Sequence, residues 1–146
     1  MYELDEKDYA ILDVLRENSS LSIQKIARKT GIPIATIHHR LTKLKANGII
    51  QKYTIVIDKA KLGRSMVAHI LIKAVPKSDH KKLLGKLMIN DMVEDGSAVT
   101  GEFDLILKIR IADVNELDKF VLTFLRTFDE IAQTQTMIAF QNITKM

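Results

Sequence analysis

The stretch from Ala35 to Lys43 gathers residue types that read and grip nucleic acid. On a helical period Ile37, Leu41 and Leu44 form an apolar stripe, which turns Ala35, Thr36, His39, Arg40 and Lys43 toward the opposite side. Arginine can fork onto guanine, the methyl groups of threonine and alanine can touch a thymine methyl, and lysine neutralises phosphate. Arg40 has a second reading, as a brace of the fold. His38 lies on the flank of the stripe and is expected to be partly buried. Earlier in the chain, Lys25, Arg28 and Lys29 read as backbone contacts that set orientation, or equally as plain solubilising charge.

The charge distribution favours the nucleic-acid reading over an ordinary solvated helix face. The whole chain of 146 residues carries a net charge of +4, which alone says little. From Asn18 to Ile57, however, there is no acidic residue, while Lys25, Arg28, Lys29, Arg40, Lys43, Lys45 and Lys52 all fall there. Such a one-signed surface suits a module that meets double-stranded DNA. From Ser65 onward the two signs nearly balance, so the two halves answer different demands.

Other chemistries lack their residues. The chain has no cysteine, which removes disulfides, thiolate nucleophiles and Cys-based zinc sites. His38 and His39 are adjacent and point in different helix directions, and His69 and His80 have no carboxylate at ligand spacing, so no metal or other cofactor is expected. Neither a phosphate loop nor a nucleophile elbow occurs, so the chain does not read as an enzyme. Its longest apolar run, from Met66 to Ile72, is broken by His69 and stopped by Lys73, too short to span a membrane. Glu3, Asp5 and Glu6 stand where a signal peptide would carry positive charge, and a cytoplasmic location is expected.

A second candidate site is Gly101-Glu102-Phe103-Asp104. It joins a flexible glycine to two carboxylates at the junction of two strands, and Thr134 and Thr136 alternate on the last strand and so share a face. Carboxylates and hydroxyls converging near an oligomer interface could hold the amino group of a small ligand. The plainer reading, a hairpin that needs Gly101 for its turn and carries solvated acids, is the one the residues alone favour.

The elements that must position these groups are legible as patterns. Asp5 and Asp8 are spaced as an N-cap and its third-position partner, before a helix from about Glu6 to Glu17 with Ile11, Leu12, Val14 and Leu15 as its apolar residues. Ser22 can cap a second helix with Ile23, Ile26 and Ala27 inward, and Gly31 ends it. A third helix starts at Pro33 or Ile34 and runs to about Asn47 before Gly48. Two helices joined by a tight turn, the second basic, are the form of a helix-turn-helix. Gly48 to Ile57 alternates as a strand would, giving a wing-like or linker strand. The boundary is expected within Lys59 to Ser65, dividing a DNA-binding domain at 1–60 from a second domain at 61–146.

That second domain reads strand, helix, strand, strand, helix, strand. Strands are expected near Val67–Val75, Val93–Gly101, Phe103–Ile111 and Ile131–Asn142, with helices near Asp79–Ile89 and Val114–Thr127. The order βαββαβ is a ferredoxin-like α+β sandwich. In the third strand Leu105, Leu107, Ile109 and Ile111 would face the helices, leaving Ile106, Lys108 and Arg110 on an open, half-apolar face that dimerisation would cover. An RNA-binding reading of this sheet lacks the paired aromatic platform.

Leu4-Asp5, Asp8, Ile11-Leu12, Leu15, Ile26-Ala27, Gly31-Ile32, Ile37, Arg40-Leu41, Leu44, Gly48-Ile49-Ile50, Tyr53 and Leu62-Gly63 together resemble the N-terminal pattern of the Lrp/AsnC regulators. Gly101-x-Phe-Asp104-Leu-Ile-Leu and Thr136-x-Ile138 resemble the C-terminal domain of the same family, and the match covers essentially the whole chain. The resemblance implies a transcriptional activator or repressor, dimeric through its C-terminal sheets, assembling further to a tetramer or octamer and acting with the transcription machinery. It also implies an amino-acid effector held between dimers near the Gly-x-Phe-Asp loop. Transferred to this chain, it supports Thr36, His39, Arg40 and Lys43 for DNA, and Gly101, Glu102, Asp104, Thr134 and Thr136 for the effector. One departure is Pro33, where the family usually has a capping serine. The Ile- and Lys-rich composition would suit an archaeal or AT-rich source. An architectural protein with little sequence preference is the alternative function.

Overall fold

The computed structural model describes residues 2–143. The chain forms two compact units that divide between Val56 and Ile57, slightly before the segment expected to separate them. Each is described by itself.

The first unit is three helices: α1 (Glu6–Glu17), α2 (Ile23–Thr30) and α3 (Ile34–Ala46). Asp5 caps α1 by accepting from the amides of Lys7 and Asp8, and the Asp8 carboxylate accepts in return from the Asp5 amide. Ser22 accepts from the Lys25 amide at the start of α2. Gly31 closes that helix at φ 70°, and its amide donates to Ala27 at 2.8 Å. A Cβ added at Gly31 would meet nothing within 4 Å, so the left-handed backbone, not space, is what requires glycine there. Ile11, Leu15, Ile26, Ile32, Ile37 and Leu41 form the core. Burying a side chain of this size contributes about 1.5–3 kcal/mol, which is how so small a unit holds its helices in place.

The segment from Gly48 to Ile57 is not a strand. It turns after α3 and continues without ladder hydrogen bonds, and Ile55 and Val56 are each 77% exposed. Alternation predicts which side chains would share a face, but a strand also needs a neighbour to pair with.

The second unit is β1 (Met66–Ala74), α4 (His80–Leu87), β2 (Val93–Ala98), β3 (Leu105–Ile111), α5 (Val114–Asp118) and β4 (Ile131–Ala139). The sheet order is β2-β3-β1-β4, every pair is antiparallel, and helices cover one face, as in a ferredoxin-like sandwich. Leu105, Leu107, Ile109 and Ile111 are buried beneath the helices with Ala68, Ile70, Ile72, Leu83, Leu87 and Phe120. The strands end earlier than expected, β2 at Ala98 and β4 at Ala139. The expected second helix is also not uniform: after α5 the chain continues as a wide π turn over Lys119–Phe124 and a 3-10 turn over Leu125–Thr127. Phe124 lies against Phe120 and Phe128, with ring centroids 5.3 and 5.2 Å away.

On the opposite sheet face the register sets Val67 beside Arg110, His69 beside Lys108 and Leu71 beside Ile106. Glu94 joins this face through Arg110 Nε at 2.7 Å, Lys59 Nζ at 2.8 Å and Lys108 Nζ at 3.7 Å. Burial alone would push the Glu94 carboxyl up, but the hydrogen bonds from Lys59 and Arg110 outweigh it and hold the group below its ordinary value.

Candidate nucleic-acid interface and effector region

Helix α3 buries Ile37, Leu41 and Leu44 and leaves Ala35, His38, His39 and Lys43 exposed, with Thr36 and Arg40 partly so. His38 is therefore more exposed than its place beside the stripe suggested. The α3 N-cap is Pro33, which supplies no side-chain hydrogen bond. Lys25, Arg28 and Lys29 are exposed on α2, and Lys29 Nζ lies 3.9 Å from Glu17, a weak surface pair.

Arg40 is the most closely engaged member of this set. Its Nη1 donates to Asp5 Oδ1 at 2.6 Å and lies 2.9 Å from Asp8 Oδ1. Asp8 is buried, 1% exposed, and its Oδ2 accepts from the Tyr2 hydroxyl at 3.1 Å. The hydrogen bond from Arg40 lowers the Asp5 carboxyl from its ordinary 3.8, and the same bond raises the guanidinium. Burial, followed by the neighbouring Asp8, raises the Tyr2 phenol. The N-terminal arm and α3 thus enclose a shallow concavity lined by Tyr2, Glu3, Asp5, Asp8, Ala35, Thr36, His39, Arg40 and Lys43. Asp5 and Asp8 were recognisable in the sequence as a cap pair. Their pairing with Arg40, and the role of Tyr2, had no local signal.

In the second unit the expected effector residues divide. Gly101 sits at φ 120° in the β2–β3 connection, and Glu102 is exposed beside an open concavity with Leu71, Ala98, Val99, Thr100, Phe103 and Ile106. Asp104 faces the strand end: its carboxylate accepts from the Ala74 amide at 2.8 Å, and its own amide donates to the Ile72 carbonyl at 2.9 Å. Thr134 and Thr136 pair across β1–β4 with Ile72 and Ile70. Those isoleucines belong to the helix-covered face, and directly paired residues share a face. Within one chain, then, the threonines lie on the other side of the sheet from Leu71 and Ile106, which border the Glu102 concavity. Ile106 is on the open sheet face expected of it, but its meeting with Leu71 and Val99 as the apolar wall of that concavity depends on strand register and has no local sequence signal.

Among the described residues no group of three or more His, Cys, Asp or Glu is placed to hold a metal ion, and no helix is long and apolar enough to cross a membrane.

Residues 4–51 match a family model described as winged helix-turn-helix DNA-binding, and residues 67–146 match the Lrp/AsnC ligand binding domain. The chain belongs to the Lrp/AsnC family of transcriptional regulators. It is 34% identical over 142 residues to an uncharacterized HTH-type transcriptional regulator of Pyrococcus furiosus, covering 96% of this chain and 95% of the relative. To the regulatory protein AsnC of Haemophilus influenzae it is 32% identical, covering 97% and 95%. The solved structure of Escherichia coli AsnC is similar at a TM-score of 0.91 and 29% identity, covering 99% of this chain and 98% of that one. A Neisseria meningitidis transcriptional regulator solved in complex with L-Met shares the fold at a TM-score of 0.91 and 24% identity, covering 98% and 94%. As an Lrp/AsnC regulator the protein carries a DNA-binding helix-turn-helix and a ligand-binding domain, and its α3 is the second helix of that motif.

Proposed function

We propose that this regulator acts as a homodimer, which assembles further to a tetramer or octamer, and that the two α3 helices of each dimer enter successive major grooves of a pseudo-palindromic operator. The half-sites would lie about 34–36 Å apart, one helical turn of DNA. The observation that carries the reading is the exposed Ala35, His39 and Lys43 side of α3, within a unit that has no acid from Asn18 to its end. Thr36 adds a partly exposed methyl and hydroxyl on the same side, His38 flanks it, and Lys25, Arg28 and Lys29 grip the backbone. Residues 1–60 serve as the DNA-binding domain with its linker, and 61–146 as the assembly and effector domain, in a protein that works in the cytoplasm with the transcription machinery.

The effector is an amino acid or a closely related metabolite. The ligand-binding family model supports a small molecule, and L-Met in the Neisseria protein makes amino acids the first class to screen. Gly101, Glu102, Asp104, Thr134 and Thr136 are the residues offered for it. A ligand changes DNA occupancy only if it binds two assembly states unequally.

The test is selection of duplexes from a random-sequence pool by the purified protein, followed by footprinting with and without each of the common amino acids. Recovery of one motif with two protected half-sites a turn apart is the expected result. Equal binding to every duplex would instead identify an architectural protein.

A further inference from the structure

We infer that Arg40 is a positioning residue for DNA recognition, which sets the pose of α3 by anchoring it to the Asp5–Asp8 pair, and is not itself a reader of bases or phosphates. The inference rests on the DNA-binding role of α3. Geometry carries it: one guanidinium nitrogen stands 2.6 Å from Asp5 Oδ1 and 2.9 Å from Asp8 Oδ1, and the Arg40 side chain is only 20% exposed. Asp8 is buried, so moving Arg40 onto DNA would leave its carboxylate without a counter-charge inside the unit. The anchored residue stands on the same concave surface as Thr36, His39 and Lys43, one helical turn from Thr36. Its neighbours can therefore meet a groove in one orientation only while the anchor holds. Tyr2 closes the far side of the pair by donating to Asp8.

The direction of the effect separates this role from a contact. Asp5 and Asp8 are acids on the DNA-facing unit, so on charge alone removing either should strengthen binding. A positioning role requires the opposite.

The experiment uses the full-length protein, a duplex selected by the wild type, and a scrambled duplex of equal length, titrated over a range of salt. The variants are Arg40→Ala, Asp8→Asn, Asp5→Asn and the Arg40→Ala/Asp8→Asn double. The preference for the selected duplex is expected to fall about tenfold in Arg40→Ala and to fall in Asp8→Asn also, with the double variant no worse than the more damaging single change, as members of one unit behave. The salt slope on the scrambled duplex should stay that of the wild type. Leu15→Val, which loosens the same core elsewhere, should melt lower but keep the preference. If Asp8→Asn does not fold, Asp5→Asn replaces it: that side chain is 55% exposed, and asparagine caps a helix as well as aspartate does. A slope reduced by about 0.9 in Arg40→Ala, with the acid variants binding as tightly as wild type or better, would overturn the inference in favour of a phosphate contact. Unchanged preference in all variants would overturn it as well. Failure of the wild type to select any sequence would instead count against sequence-specific binding, and the positioning role would fall with it.

Discussion

The carboxylate of Asp104 accepts the backbone amide of Ala74 at 2.8 Å, thirty positions away in the chain, and so ties the end of β1 to the start of β3. A residue of the Gly-x-Phe-Asp loop thereby holds the sheet together whether or not a ligand is near. Asp104→Ala should lower the stability of the ligand-binding domain by about 1–3 kcal/mol, the usual cost of stranding a partly buried donor. The change should appear in ligand-free protein, in urea unfolding and in faster hydrogen exchange of the Ala74 amide. If Ala74 stays equally protected in the variant, the tie contributes nothing.

Glu94 makes the same domain sensitive to acid. Its folded pKa lies below the ordinary 4.5, so its stabilising effect is complete above the unfolded value and is lost as pH falls through the folded one. Melting temperature should therefore fall as pH drops below about 4.5 for the wild type. Glu94→Gln should melt lower than wild type at pH 7, because Lys59, Lys108 and Arg110 then face one another without their carboxylate, and the gap should narrow in acid. A gap independent of pH would show that the carboxylate charge is not what matters.

Gly31→Ala should destabilise the helix-turn-helix by roughly 1–2 kcal/mol, since alanine must adopt a left-handed backbone there. Space is not limiting, as nothing approaches an added Cβ. For a unit this small, about 4–8 °C of melting temperature accompanies each kcal/mol. A calorimetric scan that shows no shift would mean that the turn relaxes to another conformation.

Lys43 is expected to behave unlike Arg40. An exposed lysine on the groove side should make a phosphate contact, so Lys43→Ala should weaken selected and scrambled duplexes alike and reduce the salt slope by about 0.9. Anisotropy titrations at several salt concentrations would measure it. Loss of preference without a change of slope would point to a base contact.

Much of this fold is legible in the sequence alone. The bounds of α1, α2 and α3 and the βαββαβ order follow from caps, glycines and apolar periods, all of which act within a few residues. What could not be read depends on long-range partners. The Arg40–Asp5 bond spans thirty-five positions, and only folding brings its ends together. The alternating run at 48–57 looked like a strand because periodicity records side-chain faces and is silent about pairing. The π turn after α5 leaves the apolar spacing intact, so nothing in the pattern announced it. Thr134 and Thr136 do alternate on one face, as expected, but which face is decided by register with β1.

That register bears on how an effector would titrate. If a ligand is gripped both at the Glu102 mouth and by the β4 threonines, the two grips must come from different copies of the chain, because one copy presents them on opposite sides of its sheet. Where binding itself draws those copies together, half-saturation would vary with protein concentration as well as ligand concentration. The metabolite would in effect be counted together with the abundance of the regulator itself.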